Sequence, residues 1–203
     1  MTERTANDEG PPGPDGDEGV IVTFKRSASG LLNGRTITDA MGQGPFGFTC
    51  DKHGDLYTAE QFDGPLGPGE GAAASYRVNE DASLDPASPT VKNGGTDTCW
   101  FVITDDGAYG YATSFFGNGR ISSYEVGPGG ELALLEADAG ANVKLGASDI
   151  TLSRDSRHLY QLNSFDGMIN AFRVQADGGL RLIQTVQATR PNEMAARIGR
   201  AGS

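Results

Sequence analysis

The chain has little cysteine, little histidine, few basic side chains and no long apolar run. Two cysteines among 203 residues do not indicate a disulfide framework, and no stretch approaches the roughly 18 apolar residues of a membrane span. Sixteen Lys and Arg against 27 Asp and Glu give a net charge of −11. Nucleic acids and anionic membrane surfaces are therefore disfavoured as partners, because both repel an acidic protein.

The first nineteen residues lack side chains that could form a core. They carry six acids against one Arg, so residues 1–19 are predicted to be a disordered acidic leader. They contain no apolar signal-peptide core, and a cytoplasmic location is the default expectation. The motifs GxSxG, P-loop, CxxC and HExxH are absent from the chain as well.

Glycine and proline are abundant. Thirty Gly and ten Pro favour many short strands and turns over long helices. The sequence therefore predicts an all-β fold.

Two sequence patterns recur along the chain. The first is a strand ending in aromatic-x-Val, a polar turn and a second strand that opens on Leu: ASYRVNEDASL, SSYEVGPGGEL and NAFRVQADGGL place Tyr76, Tyr124 and Phe172 at intervals of 48 residues, and IVTFKRSASGLL places Phe24 another 52 residues upstream. The second pattern is an apolar strand, a turn and a strand that carries Tyr57, Tyr111 or Tyr160 at the same place.

Together the two patterns give four strands per repeat. First strands are predicted near 47–51, 100–104 and 149–153; second strands near 55–60, 108–113 and 157–163; third strands near 72–78, 119–126 and 168–174; fourth strands near 84–91, 131–138 and 179–186; and a further third and fourth strand in 20–40.

A period of 48 residues with four strands is typical of β-propeller blades, whose apolar faces must be covered by neighbouring blades. The alternative, a two-sheet sandwich, needs no repeat. The predicted propeller spans 20–190, with blade boundaries near 41–45, 92–98 and 139–147, and 191–203 is a C-terminal tail. These strands make only about three and a half blades, so the chain is expected either to be half of a longer propeller or to self-associate through its open blade faces.

The units GxLxLL, Gly-x-Gly-Pro, Asp-x-Gly and L-Y-x-x-N/E, between about 20 and 186, resemble the seven-bladed lactonase propellers, which include bacterial 6-phosphogluconolactonase and fungal carboxymuconate cyclases. The resemblance covers only what would be the C-terminal half of that family. It implies hydrolysis or formation of a sugar or dicarboxylate lactone, with a small lactone or sugar acid as partner and no obligatory metal or other cofactor. It also implies a channel mouth lined by His, Arg and Glu, where a guanidinium holds the substrate's anionic group and His or Glu serves as base.

The chain departs from that pattern at the turns before its first strands. These turns read GPFG at 44–47, DTCW at 97–100 and ASDI at 147–150, and none holds an Arg-His pair. Glu60 matches the acid implied by the resemblance, and Asn163 is its counterpart two blades later. A catalytically silent binding or scaffold propeller, or a fragment without independent activity, is therefore the alternative to a lactonase.

Each candidate site residue has a functional and a structural interpretation. Glu60 is either a catalytic base or a polar residue that closes a strand. Asp97 and Asp149 either bind a polar ligand or cap turns. Phe46 and Trp100 either stack on a ligand ring or fill the space between blades.

Cys50 and His53 lie three residues apart and suggest a metal site. The repeat aligns Cys50 with Ile103 and Leu152 on an apolar strand, however, and places His53 in a polar turn. Cys50 is therefore predicted to pack as a small apolar side chain. No metal site is predicted, because zinc needs at least three convergent ligands.

Overall fold

Short antiparallel strands make up most of the described structure. The computed structural model describes residues 1–3 and 19–188. These residues form fifteen strands and one short 3-10 helix, Gly64–Leu66. The prediction of an all-β chain is confirmed.

The strands are arranged in four sheets, and each sheet follows chain order. The first sheet contains β1 (Thr2–Glu3), β2 (Val20–Arg26) and β3 (Leu32–Asp39). The second contains β4 (Pro45–Cys50), β5 (Leu56–Glu60), β6 (Ala72–Val78) and β7 (Leu84–Lys92). The third contains β8 (Thr96–Ile103), β9 (Tyr109–Phe116), β10 (Arg120–Val126) and β11 (Leu132–Glu136). The fourth contains β12 (Ala147–Leu152), β13 (His158–Asn163), β14 (Met168–Val174) and β15 (Leu180–Gln187).

Each four-stranded sheet is an antiparallel meander, which is the predicted blade. The first strands of neighbouring sheets lie side by side, with β4 beside β8 and β8 beside β12. These first strands are therefore the inner strands, around which the sheets are arranged. The described sheets form an arc that does not close into a ring.

The inner strands begin earlier than the sequence predicted. In all three, the register with the second strand shifts near the start of the strand: between Pro45 and Phe48, between Thr98 and Trp100, and between Ala147 and Ile150. The segments predicted as turns are therefore the bulged first residues of strands. A bulge inserts an unpaired residue into a strand without ending it. Bulges and turns share residue types such as glycine, proline and aspartate, so the sequence of a bulge resembles that of a turn.

Apolar side chains fill the three contacts between consecutive sheets. Between the first and second sheets the buried side chains are Ile21, Leu56, Ala74, Tyr76 and Leu84. Between the second and third they are Tyr57, Ala59, Ala73, Phe101, Ala112, Tyr124 and Leu132. Between the third and fourth they are Tyr111, Ile121, Ile150, Leu159 and Phe172. Both repeated aromatic positions of the sequence thus contribute to the core.

Residues 4–18 and 189–203 lie outside the described residues, and so do most of the predicted leader and all of the predicted tail. Thr2 and Glu3 pair with Ile21 and Val20, which gives the first sheet its third strand. Among the described residues, the model contains no helix with the length and apolarity that crossing a membrane requires.

Candidate functional site

Three aromatic side chains are exposed on the inner strands. Phe46 and Phe48 alternate on β4, and Trp100 lies on β8; their exposed fractions are 41, 40 and 38%. The rings of Phe46 and Trp100 meet edge to face, with centroids 6.0 Å apart. With Pro45, Gly47 and residues 1–2 they line a mainly apolar cleft of about 510 Å³, called the aromatic cleft below.

Close packing of β4 on β8 fixes the shape of the aromatic cleft. A Cβ atom at Gly47 would collide with the Trp100 ring and with the Cys99 carbonyl oxygen, so only glycine lets the two strands approach this closely. The hydroxyl of Thr2 donates a hydrogen bond to the Phe46 carbonyl at 2.8 Å. One side of the cleft is thus formed where the backbones of β4 and β8 approach each other, and β1 borders the other side.

Glu60 lies at the end of β5, opposite Pro45, and its side chain is fully buried. Among the described residues, neither oxygen of its carboxylate has a hydrogen-bond partner, and the buried hydroxyl of Thr90 has none either. A Cβ atom at Gly42 would lie 2.5 Å from Glu60 Oε2 and 2.5 Å from Thr90 Oγ1. The segment that leads from the first sheet to the second therefore covers this carboxyl.

Burial controls the protonation of Glu60. Removal from water raises the pKa of its carboxyl from the ordinary 4.5 to about 7, while the nearby Thr90 hydroxyl, the Gly42 N–H and the Lys92 charge oppose the rise. The first two groups are close to the carboxylate but lack hydrogen-bond geometry, so burial prevails. Lys92 is engaged elsewhere, 3.0 Å from Glu70 Oε2.

Asn163, the counterpart of Glu60 in the fourth sheet, is held by backbone groups. Its amide nitrogen donates to the carbonyls of Lys144 and Leu145 at 3.1 and 2.9 Å. Its side-chain oxygen accepts from the N–H groups of Phe165 and Asp166 at 3.0 and 3.2 Å. These bonds join the loop before β12 to the turn after β13, so the Asn163 amide is engaged by backbone groups.

The two candidate aspartates differ in environment. Asp97 lies in β8, is 8% exposed and has a φ of 60°; its carbonyl accepts a hydrogen bond from the Cys99 thiol at 3.2 Å. Asp149 lies in β12 with an exposed side chain. The structure therefore brings Phe46 and Trp100 together at the aromatic cleft, and none of the other four predicted residues, Glu60, Asp97, Asp149 and Asn163, lines it.

Sequence reasoning missed Phe48 as part of the cleft, and it singled out the GPFG segment with Pro45 and Gly47 only for its lack of an Arg-His pair. The alternation of PFGFTC could have identified Phe48, because residues two apart on a strand share a face. Gly42 and Thr90 were also missed as neighbours of Glu60. They come from other segments of the chain, and no local sequence signal connects them with Glu60.

The prediction that Cys50 packs as an apolar side chain is wrong. Cys50 is a free, exposed cysteine, whereas Cys99 is free and buried. Cys50 shares the exposed face of β4 with Phe46 and Phe48. Its equivalents Ile103 and Leu152 are partly buried in the clusters that join their sheets to the preceding ones, whereas Cys50 takes no part in the cluster between the first and second sheets. His53 lies exposed in a turn, as predicted. In the described part of the chain, no group of three or more His, Cys, Asp and Glu side chains could hold a metal ion.

Several solved structures share the arrangement of these sheets. A protein from Lactobacillus plantarum aligns with a TM-score of 0.67 at 22% identity, covering 83% of this chain and 51% of its own. A candidate 6-phosphogluconolactonase from Bacteroides uniformis gives 0.67 at 21% identity, with 85% and 51% covered. The periplasmic gluconolactonase of Pseudomonas aeruginosa gives 0.52 at 16% identity, with 86% and 65% covered.

The fold is thus that of a β-propeller, present as consecutive blades. More particularly, it is the fold of the lactonase-like propellers, and the chain spans about half the length of the first two structures. The resemblance inferred from the sequence motifs is confirmed in fold and in its partial coverage. No protein-family model and no curated protein matches the chain. At such low identities the likeness establishes the fold alone.

Proposed function

We propose that the protein is a lactonase-like propeller that binds a sugar or dicarboxylate lactone in the aromatic cleft. The observation that carries this proposal is the exposure of Phe46, Phe48 and Trp100 together on the inner strands. Exposed aromatic faces favour the stacking of a small ring and its C–H groups. Ligand pockets of this kind are concave and mainly apolar, and this cleft has both properties.

The second part of the proposal is that the protein hydrolyses the bound lactone. Water would attack the lactone carbonyl carbon, the ring C–O bond would break, and the proton lost by water would pass through a base to the departing oxygen, giving the hydroxy acid. Glu60 is the candidate base, because its pKa of about 7 suits proton transfer near neutral pH. The reverse sequence would close the ring.

The burial of Glu60 favours the second candidate function, a binding propeller without turnover. Its carboxyl has no exposed surface, and the bulged starts of the inner strands carry no Arg or His. A substrate in the aromatic cleft is therefore separated from Glu60 by the first residues of β4. Binding and turnover must be measured separately.

Ligand binding can be followed through Trp100, which is the only tryptophan of the chain. We expect gluconolactone or muconolactone to change its emission in a saturable way, and Phe48→Ala to weaken the affinity by about tenfold through loss of a stacking surface. Leu66→Ala, on the exposed 3-10 helix, serves as the matched control and should bind as the native chain does. Equal emission with and without either lactone would contradict the proposal.

Turnover is tested by measuring acid release from the same lactones above the spontaneous rate. We expect Glu60→Gln to reduce that release by about a hundredfold or more if its carboxylate is the base, with the lactone affinity retained. Saturable binding without release would select the binding propeller over the enzyme. Release that is unchanged in Glu60→Gln would remove Glu60 from the proposal.

A further inference from the structure

The last sheet exposes a side chain that the preceding sheets bury. Tyr57, Tyr111 and Tyr160 occupy the same position of the repeat, on the second strand of consecutive sheets. The first two are 1 and 0% exposed, whereas Tyr160 is 40% exposed. Tyr57 stacks on Phe101 of the following sheet, with ring centroids 5.9 Å apart. Tyr160 differs because no described sheet follows its own.

The first sheet exposes the opposite half of the same contact. The aromatic residue before x-Val is fully buried in the three later sheets, at Tyr76, Tyr124 and Phe172, but its equivalent Phe24 is 37% exposed. The Leu at the start of the fourth strand shows the same difference in exposure. Leu84 and Leu132 are 6 and 7% exposed, whereas their equivalent Leu32 is 65% exposed.

The tyrosine hydroxyl also lies against the outer hairpin of the next sheet. Tyr111 donates a hydrogen bond from its hydroxyl to the carbonyl of Gly178, at 3.0 Å, in the outer hairpin of the next sheet. A Cβ atom at Gly130, the equivalent hairpin residue of the third sheet, would lie 3.4 Å from the Tyr57 hydroxyl. At both junctions the hairpin glycine thus lies beside the tyrosine of the preceding sheet, although the Gly130 carbonyl accepts its hydrogen bond from the Ser75 hydroxyl.

Gly30 is the equivalent hairpin residue of the first sheet. Its φ of 85° matches the 87° of Gly130 and the 79° of Gly178, so the hairpin has the same shape. Among the described residues, no atom lies within 4 Å of a Cβ atom placed at Gly30. The first sheet thus presents a receiving hairpin without a tyrosine, and the last sheet presents a tyrosine without a hairpin.

We infer that a second copy of this chain docks head to tail, with the Tyr160 face of one copy on the Phe24 face of the other. The junction repeats the contact that already joins the sheets inside the chain. Two junctions join two arcs of four sheets into a closed ring of eight, within the range known for propellers. Closure covers the exposed faces of the first and last described sheets.

Closure also completes the channel that the inner strands border. The aromatic cleft lies on the inner strands β4 and β8, and in the ring the inner strands of the second copy border the same channel. Ligand binding in a completed channel rests on the proposed function. The head-to-tail contact itself depends only on the exposed faces of the first and last sheets.

Sedimentation velocity of the purified chain, over a roughly hundredfold range of concentration, tests the inference. We expect a dimer, and we expect Tyr160→Asp and Phe24→Asp each to weaken dimerisation by at least about 30-fold, as loss of a central interface aromatic does. Leu66 is 86% exposed and belongs to the 3-10 helix between β5 and β6, which is part of neither face. Leu66→Asp should therefore leave dimerisation unchanged. Unchanged near-ultraviolet circular dichroism shows that the variants are folded.

Mixing the two variants tests the head-to-tail geometry. One junction then joins two intact faces, so we expect the mixture to form a dimer more readily than either variant alone. A face-to-face dimer would instead survive in one variant by itself and gain nothing from mixing. A chain that stays monomeric throughout the concentration range, or one that grows into open-ended oligomers, would also overturn the inference. A closed dimer that binds no lactone would overturn only the proposed function.

Discussion

The carboxyl of Glu60 is buried among groups that come from three separate segments of the chain, and its protonation is therefore coupled to folding. Burial favours the neutral acid, because the charged form loses its hydration and gains no well-formed hydrogen bond in return. The carboxyl gives up its proton near pH 7 in the folded chain, well above the pH at which an exposed glutamate does so.

The raised pKa predicts that stability falls with rising pH. The folded chain binds the proton more tightly than the unfolded chain, so the stabilisation is complete below pH 4.5 and is lost as the pH rises to about 7. The change amounts to about 3 kcal/mol. Urea denaturation at pH 5 and pH 8 measures it, and Glu60→Gln should flatten the difference because Gln does not titrate.

Comparison of the variant with the native chain isolates Glu60 from other titrating groups. The pKa of Asp106 is lowered by the hydrogen bond from the Thr104 hydroxyl, so its contribution has the opposite sign and is lost only at more acidic pH. An identical pH dependence in Glu60→Gln and in the native chain would show that the carboxyl is solvated.

Gly47 provides a second prediction for a single residue. Gly47→Ala should destabilise the fold by about 1–3 kcal/mol, as overpacking does, because the new methyl group meets the Trp100 ring and the backbone of β8. The emission spectrum of Trp100 should shift in the native state. Cys50→Ala, an exposed change on the same strand, should leave both properties unaltered. An unchanged free energy of unfolding together with an unshifted spectrum in Gly47→Ala would contradict the close approach of β4 and β8.

Among the structural elements, the sheets are joined by a contact that the repeat reproduces at each junction. Local alternation along each strand predicts which side chains face a neighbouring sheet, since successive residues point to opposite faces. Whether such a side chain is buried depends on whether a neighbouring sheet is present. Tyr111 and Tyr160 show the difference at one position of the repeat.

Tyr111 and Tyr160 provide a matched test of the contact between consecutive sheets. Tyr111→Phe removes the buried hydrogen bond to the Gly178 carbonyl and should cost about 1 kcal/mol. Tyr160→Phe should change the stability of the single chain by less than about 0.5 kcal/mol, because its side chain is partly exposed. Chemical denaturation at low protein concentration compares the two, and equal losses would contradict the assigned contact.

The elements also show where sequence reasoning failed. The strands of 20–187 and their order were predicted correctly, because turn residues and alternating apolar side chains are local signals. The prediction that residues 1–19 are disordered is wrong for Thr2 and Glu3, which form β1 by pairing with β2, a contact that the local sequence does not indicate. The starts of the inner strands were misplaced, because a bulge and a turn share glycine, proline and aspartate. Asp97, with its φ of 60°, is such a bulge residue, and it was predicted to lie in a turn.

For the molecule as a whole, charge and apolar surface act in opposite directions. A net charge of −11 repels a second copy over a distance that salt shortens, while the exposed faces of the first and last sheets favour association. Their balance makes self-association sensitive to ionic strength.

Dimerisation should therefore strengthen when sodium chloride is raised from about 0.05 to about 0.5 M, because the Debye length falls from above 10 Å to below 5 Å. Sedimentation equilibrium at the two salt concentrations measures the change, and we expect an increase in affinity of about tenfold. Leu66→Asp adds one negative charge to each copy, and its dimerisation should depend on salt in the same direction. A dimer that weakens with salt would mean that ion pairs, and not apolar faces, hold it together.

The sequence by itself determined the all-β class, the repeat, the strand order and the residues that face neighbouring blades, because these features follow from periodicity and local turns. Tertiary structure alone decided the environment of the candidate site residues. Glu60 is buried because segments that are distant in the chain, at Gly42 and Thr90, cover it. Cys50 is exposed because it takes no part in the cluster between the first and second sheets, unlike Ile103 and Leu152 at the later junctions. The aromatic cleft exists because Gly47 lets two strands approach. Burial depends on which segments meet in space, and local sequence patterns do not contain that information.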